Sequence, residues 1–175
     1  MAIFYCRTGI FVRDMIKRAD AKPGLIQKTV LIQASPAVIY RALTEAKELA
    51  RWFCDRASSE PRVGGELKAR WNAAAREGRA VFTQIIPNSL VELRWEDEGP
   101  EAPQSPGARH VLSYSIVLRR RGSEVLLRDE DYPPPDPESV AIMEEGWNSV
   151  LFQLKEYCER RERAAKKRTP ALAES

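Results

Sequence analysis

The sequence has a single histidine, His110, and only three cysteines, Cys6, Cys54 and Cys158, which lie far apart in the chain. Because the cysteines form no C-x-x-C pair, the pattern predicts neither a disulfide framework nor a zinc site, and it favours a reducing cytoplasm. One histidine also leaves little support for triads built on a histidine base or for H-E-x-x-H metal sites. We therefore expect no catalytic residue, no metal and no cofactor, and a binding protein in preference to an enzyme.

Long apolar runs are missing as well. No stretch approaches the ~20 residues that a membrane-spanning helix needs, which argues against integral membrane association. With 175 residues, of which 43% are hydrophobic and 30% charged, the chain has the composition of one soluble globular domain.

The excess of positive charge lies at the two ends of the chain. The net charge is +3, but residues 1–24 and residues 159–175 each carry +3, so residues 25–158 carry −3. A mildly acidic body is poorly suited to binding phosphates, and we expect no nucleic-acid partner.

Three regions follow from this division: an N-terminal extension at 1–24, a domain at 25–161 and a basic C-terminal tail at 162–175. Apolar residues in the extension recur about every seven positions, which predicts one amphipathic helix. That helix would be a docked accessory helix, a membrane-surface anchor, a partner helix, or part of an upstream extension if translation starts at Met15. Arg7 and Arg13 interrupt its apolar stretch, so it is not a secretory signal.

Secondary structure is predicted from alternation, turn residues and helix caps. A strand at 26–33 is followed by Ser35 as a helix N-cap, Pro36 at the first helical position, and two short helices that reach Trp52 and Phe53. Strands follow at 66–71, 79–86 and 90–96, then a Pro/Gly loop at 98–109 and a hairpin at 110–120 and 124–132. Asp136 caps a long helix from Pro137 to about residue 161.

Several of these segments together resemble a known family. They are Ala34–Thr44 (ASPAVIYRALT), Trp52-Phe53, Val63-Gly64-Gly65, Gly78-x-x-Val81, Leu90–Trp95 (LVELRW) and Glu145-Gly146-Trp147-x-x-x-Leu151-x-x-Leu154. In order and spacing they are similar to bacterial proteins related to the activator of the heat-shock-protein 90 ATPase, within the START-like (SRPBCC) helix-grip superfamily. The resemblance covers about residues 25–160.

The resemblance implies an α+β helix-grip fold. In it, a curved antiparallel sheet of six or seven strands wraps around the long C-terminal helix, and two short helices follow the first strand. It also implies an apolar cavity between sheet and helix, whose tryptophan and tyrosine side chains offer donors that orient a polar headgroup. Candidate ligand-binding residues facing that space are Trp52, Phe53, Trp71, Phe82, Val91, Leu93, Trp95, Tyr114, Val125, Leu127, Met143, Trp147 and Leu151. For each, the alternative is a role in the packed core.

The polar candidates are ambiguous in the sequence. Asp129 occupies the place where family members often carry a histidine, and it is a candidate ligand-binding residue, because an acid at a pocket mouth would bind a cation or act as a base if its pKa rises. The alternative is that the run at 128–131 is a solvated strand end. Arg70, Arg79 and Arg94 would bind an anionic headgroup or form surface pairs across strands. His110 is predicted to be exposed and without a role, and Cys54 has no basic partner that would activate it.

Three functions stay open at this point. The first is non-catalytic binding of a small hydrophobic or amphipathic molecule, such as a lipid. The second is a chaperone-associated interaction module, although residues 1–24 are too short to hold the second domain of established co-chaperones of this family. The third is a polyketide cyclase/aromatase-like enzyme. Ligand identity and oligomeric state do not follow from the sequence.

Overall fold

The computed structural model describes residues 24–96, 109–132 and 136–168. The helix predicted within residues 1–24, almost all of the loop predicted at 98–109, and the tail beyond residue 168 lie outside the described residues. Within the described ranges, no helix is both long and apolar enough to cross a membrane.

The described chain forms strands and helices in the predicted order, with one addition. The elements are β1 Leu25–Ile32, α1 Pro36–Thr44, α2 Ala46–Leu49, β2 Arg56–Ser59, β3 Glu66–Trp71, β4 Arg76–Ile86, β5 Leu90–Glu96, β6 Arg109–Arg119, β7 Gly122–Tyr132 and α3 Pro137–Arg168. The addition is β2, whose sequence Arg-Ala-Ser-Ser has no aromatic or β-branched residue to predict a strand. Antiparallel pairing with β3 holds it in the sheet.

The strands form one seven-stranded antiparallel sheet in the order β1-β7-β6-β5-β4-β3-β2. Successive strands from β2 to β7 are neighbours, and β1 pairs with β7, where Val30 lies opposite Val125. The sheet curves around α3, so the α+β helix-grip architecture is confirmed.

The core lies on the concave face of the sheet. Strand side chains alternate between faces, so that Val91 and Leu93 of β5 are buried while Arg94 between Leu93 and Trp95 is exposed. Leu67, Phe82, Leu112, Tyr114, Val125 and Leu127 continue the buried face across the other strands. This burial of alternate residues places side chains of successive strands on the face that packs against the helices.

Two helix starts were predicted, and their caps differ in the structure. Asp136 caps α3 as expected, because its Oδ1 accepts the backbone N–H groups of Glu138 and Ser139 at 3.0 Å each. Ser35 stands at the N-cap of α1 but forms no side-chain cap hydrogen bond. Its hydroxyl and its backbone N–H instead donate to Glu162 Oε2 of α3, at 2.9 and 3.1 Å.

Helix α3 continues to Arg168, beyond the end predicted near residue 161. Intrahelical ion pairs at i,i+4 spacing, Lys155 with Glu159 at 2.7 Å and Lys166 with Glu162 at 3.5 Å, favour the helical conformation of the basic segment. Cations near the C-terminus also complement the helix dipole. The basic residues therefore extend the helix instead of ending it.

The C-terminal half of α3 closes the core. Leu151, Leu154, Tyr157 and Cys158 are buried against the sheet and α1. Polar contacts add to this: Glu159 Oε1 accepts the Gln33 backbone N–H at 2.9 Å. These contacts tie the C-terminal half of the helix to the segment between β1 and α1 and to the first short helices.

Candidate functional site: an aromatic groove

An open groove of about 470 Å³ lies between one end of the concave sheet face and the N-terminal half of α3. Its volume falls within the ~300–1,000 Å³ that is typical of ligand sites. It is lined by Phe53, Trp71, Arg76, Trp95, His110, Trp147, Val150 and Gln153.

Among the residues that the structure describes, the interior beneath the groove is closely packed. The gap between the two short helices and the sheet, bordered by Leu43, Leu49 and Leu67 among others, measures only about 20 Å³, which is about enough for one water. The enclosed apolar cavity expected from the resemblance is therefore replaced here by a packed core beside an open groove.

The residues proposed from the sequence divide into three groups. Phe53, Trp71, Trp95 and Trp147 line the groove. Trp52, Leu93 and Tyr114, together with Phe53 and Trp95, border the small interior gap. Phe82, Val91, Val125, Leu127 and Leu151 are buried in the core, and Met143 is half-buried on α3 outside the groove lining.

Aromatic rings form the floor of the groove. Phe53 meets the edge of Trp71 with ring centroids 5.2 Å apart, and its centroid lies 6.5 Å from that of Trp95. Gly78 lets both indoles pack against the backbone of β4. A Cβ at this position would stand 2.8 Å from Trp95 Cζ3 and 3.2 Å from Trp71 Cζ3. The Arg76 guanidinium lies over the Trp71 ring at 5.8 Å, so a cation stands at the rim.

Most of the indole N–H groups already have acceptors within the protein. Trp52 donates to the Ala42 carbonyl at 2.9 Å, Trp71 to the Phe53 carbonyl at 2.6 Å, and Trp147 to Asp129 Oδ2 at 2.5 Å. These three donors are thus engaged within the protein, whereas the sequence-based expectation was that they orient a polar headgroup. Recognition of a polar group on a ligand would therefore depend on the other polar residues that line the groove.

Asp129 and His110 form a pair at the inner end of the groove. Asp129 Oδ1 lies 2.5 Å from His110 Nε2, while its Oδ2 accepts the Trp147 N–H. Asp129 is 1% exposed and the His110 side chain 23%. The interpretation of the 128–131 run as a solvated strand end is thus wrong for Asp129, and the prediction of an exposed, unused His110 is also wrong.

Alternation in the sequence contains the signal that would have found this pair. His110 stands two residues before Leu112 and four before Tyr114, and Asp129 stands two residues after Leu127. All five therefore share the concave face. Alternation left open whether Tyr114 lies on the outward face of the sheet. The structure buries it on the concave face. Arg76, Val150 and Gln153 were missed because only the tertiary structure brings them to the groove.

Burial sets the ionisation of several nearby groups. It raises the pKa of Tyr114 far above the ordinary value of 10.0, with the Asp129 charge as the second cause, so this phenol stays neutral. Burial likewise raises the pKa of the Cys54 thiol and that of Cys158, the latter to about 12. Both thiols are therefore protonated at neutral pH and poor nucleophiles.

The arginines considered for headgroup binding lie away from the groove. Arg79 pairs with Glu66 and, at 3.4 Å, with Glu96. Arg70 pairs with Glu77 at 3.2 Å, across the β3–β4 ladder. Arg94 is exposed on the opposite face of the sheet from Leu93. For Arg70 and Arg79, pairing across strands is thus the observed arrangement.

One group of described residues has the composition of a cation site. His110, Asp129 and Asp131 each offer one ligand atom, and these atoms lie within 4.8 Å of one another. Both Asp129 oxygens, however, face nitrogen atoms of His110 and Trp147. The geometry is that of a hydrogen-bonded acid–base pair.

The sequence matches the family model described as activator of Hsp90 ATPase homolog 1-like protein over residues 33–159, more than half of the chain. None of the curated proteins matches the chain significantly.

Solved structures share the fold. The Aha1 dimer from Colwellia psychrerythraea has a TM-score of 0.64 and 25% identity, covering 77% of this chain and 96% of that one. ChR145 from Cytophaga hutchinsonii has a TM-score of 0.67 and 19% identity, with 81% and 98% covered. DynU16, a protein in the dynemicin biosynthetic locus, has a TM-score of 0.67 and 16% identity, with 81% of this chain and 49% of that one covered.

Proposed function

This chain belongs to the family of activator of Hsp90 ATPase homolog 1-like proteins, and from that premise we propose that it binds a small hydrophobic or amphipathic molecule in the aromatic groove. The observation that carries the proposal is the groove itself, about 470 Å³ of open space between sheet and helix. Flat aromatic walls bind apolar ligands with little loss of side-chain entropy. The free thiols Cys54 and Cys158 fit a cytoplasmic protein.

The groove has the form of a binding site because its aromatic walls pack against the core on one side and stay partly exposed on the other. Trp71 and Trp95 remain half-exposed although each lies on the concave face, and both pack around Phe53. Burying such surface under a ligand contributes about 25 cal/mol per Å² of apolar area. A flat apolar molecule is therefore the occupant that this surface favours.

A larger side chain placed in the groove from the helix side tests the proposal. Val150 lines the groove, while its neighbour Ser149 is exposed outside it. Val150→Trp is expected to abolish binding of apolar and lipid-like compounds, which a thermal-shift library screen with calorimetry on the hits would measure. Ser149→Trp, on the same helix, is the matched control and should bind like the unaltered protein.

Two results would contradict the proposal. One is a protein that carries no ligand in native mass spectrometry and is stabilised by no compound of the library. The other is binding that survives Val150→Trp, which would place the ligand elsewhere.

Interaction with a chaperone is the second candidate, and the family match favours it. A pull-down with heat-shock protein 90 as bait would test it. Enrichment above background is the expected result, and its absence in a binding assay with purified components would remove this candidate.

A further inference from the structure

We propose that His110 and Asp129 form a proton-accepting pair, and that the groove's ligand is a flat, apolar molecule bearing an acidic hydroxyl, phenolic or enolic, that gives its proton to the His110 imidazole. This inference rests on the proposed function, because it assigns a chemistry to the same groove. It goes beyond simple binding, since nothing in an apolar binding site requires a buried acid–base pair.

The carboxylate is held in one orientation from two sides. Its Oδ1 faces His110 Nε2 and its Oδ2 accepts the indole N–H of Trp147, with both heavy-atom distances 2.5 Å. Because Asp129 is almost completely buried, it cannot turn away to solvent. A fixed carboxylate next to one ring nitrogen sets the imidazole tautomer and stabilises the imidazolium that forms when the ring gains a proton.

The groups around His110 favour this role. Asp131 lies opposite His110 in the β6–β7 ladder, and its carboxylate is within 4.8 Å of the pair. Tyr114, on the same face of β6, stays neutral because burial and Asp129 raise its pKa. Arg76 supplies a positive charge at the groove rim, and Trp147 is the polar contact from α3.

The step balances without a co-reactant. The ligand O–H bond breaks and its electron pair stays on the ligand oxygen. A new N–H bond forms at His110 Nδ1, where any present partner is exchanged for the ligand hydroxyl. The Asp129 carboxylate then faces an imidazolium, and Arg76, which also lines the groove, is a cation that favours a ligand anion.

The remaining polar groups explain why the ligand's single acidic group would meet His110. The indole N–H groups of Trp71 and Trp147 donate to acceptors within the protein. These two side chains therefore present only their ring faces to a ligand. The Trp95 indole, Gln153 and Arg76 are the other lining side chains that carry polar groups. Among these polar lining groups the His110 imidazole is the one that has a nitrogen lone pair able to accept a proton.

A pair of small probes separates binding from proton transfer. 4-Nitrophenol has an acidic hydroxyl and a phenolate with its own absorption band, whereas 4-nitroanisole has the same ring without the acidic proton. Equilibrium dialysis measures the affinity of each, and absorbance of the bound fraction gives the ratio of phenolate to phenol. His110→Asn keeps an N–H donor for Asp129 but holds no second proton, and Arg76→Gln is the control for a purely electrostatic effect.

In the unaltered protein we expect bound 4-nitrophenol to be more ionised than the free probe at the same pH. His110→Asn should lower the bound phenolate-to-phenol ratio about tenfold, which corresponds to one pKa unit of the probe. Dialysis of 4-nitroanisole measures how far His110→Asn alters the groove itself, and the phenolate-to-phenol ratio is taken from the bound probe alone. Arg76→Gln should lower the ratio less than His110→Asn does.

An equal phenolate ratio in the unaltered protein and in His110→Asn, with 4-nitroanisole bound by both, overturns the proton-accepting role and leaves groove binding intact. A lower phenolate-to-phenol ratio in Arg76→Gln, with no change in His110→Asn, also overturns the proton-accepting role. If the unaltered protein binds neither probe, groove binding of flat aromatic molecules fails, and the inference fails with it.

Discussion

The two halves of α3 have different structural roles, although they form one continuous helix. From Leu151 onward the helix is buried on one side, with Leu154 and Cys158 fully enclosed. Before Leu151, none of the described helix residues is buried. Its described polar contacts to the sheet are the Trp147–Asp129 hydrogen bond and the Lys28–Glu144 ion pair at 3.4 Å. The C-terminal half thus closes the core, whereas the N-terminal half stands over an open groove.

This difference shows how a helix-grip fold keeps a site without weakening its core. Apolar burial and three anchored carboxylates, Glu48, Glu159 and Glu162, bind one end of the helix to the rest of the domain. The other end has no buried residue among those described before Leu151, and this leaves space beneath it. The following three experiments test this division.

The largest effect is expected from Leu154→Ala. Leu154 is 0% exposed, so its truncation removes apolar contacts and leaves a cavity, at a cost of about 2–5 kcal/mol in the free energy of unfolding. Phe152→Ala, two residues earlier on the outer face, removes a larger side chain that is 63% exposed, and should change stability by no more than about 0.5 kcal/mol. Urea unfolding measures both, and equal costs would contradict the assignment of the buried face.

Trp147→Phe tests the hydrogen bond to buried Asp129 that joins the open half of the helix to the sheet. It removes the donor to a buried carboxylate oxygen, and hydrogen bonds to charged groups contribute about 1.5–3 kcal/mol. Trp52→Phe is the control, since its indole donates to the neutral Ala42 carbonyl and should cost about 0.5–1.5 kcal/mol. A smaller loss of unfolding free energy for Trp147→Phe than for Trp52→Phe would mean that the Asp129 contact adds little.

Acid should loosen the anchored half first. Burial by itself raises the pKa values of Glu159 and Glu162, but hydrogen bonds from Gln33 and Ser35 and nearby lysines outweigh it, so both pKa values lie below the ordinary 4.5. The folded state therefore favours the charged carboxylates. Their contribution to stability is complete above the unfolded pKa and is lost as the pH falls through the lower folded pKa.

Urea unfolding at neutral pH and at several values below 4.5 measures this loss. Glu162→Gln should cost about 1 kcal/mol at neutral pH and should reduce the dependence on acid. Glu144→Gln, in the open half and paired only at the surface with Lys28, should change stability by less than about 0.5 kcal/mol and leave the acid dependence as it was. The same acid dependence in both variants would argue against the anchoring role.

Much of the fold was predictable from local patterns. Alternation in Leu90–Glu96 and the Asp136-Pro137 start of the long helix indicated elements that the structure contains. Strand β2 was not predictable, because its stability comes from pairing with β3 and not from its own residues. The end of α3 was missed because the favourable charge pairs of residues 155–168 lie one helical turn apart and extend the helix.

The candidate site divides in the same way. The sequence by itself determined that aromatic side chains would face the space between sheet and helix, since periodicity places Trp71 and Trp95 on the buried face of their strands and Trp147 on the apolar face of α3. Only the tertiary structure decided that the interior is filled, that the open space is a groove, and that Asp129 is buried beside the one histidine. The physical reason is that periodicity assigns a residue to a face. Whether that face holds a core, a groove or an acid–base pair depends on where a distant helix packs against it.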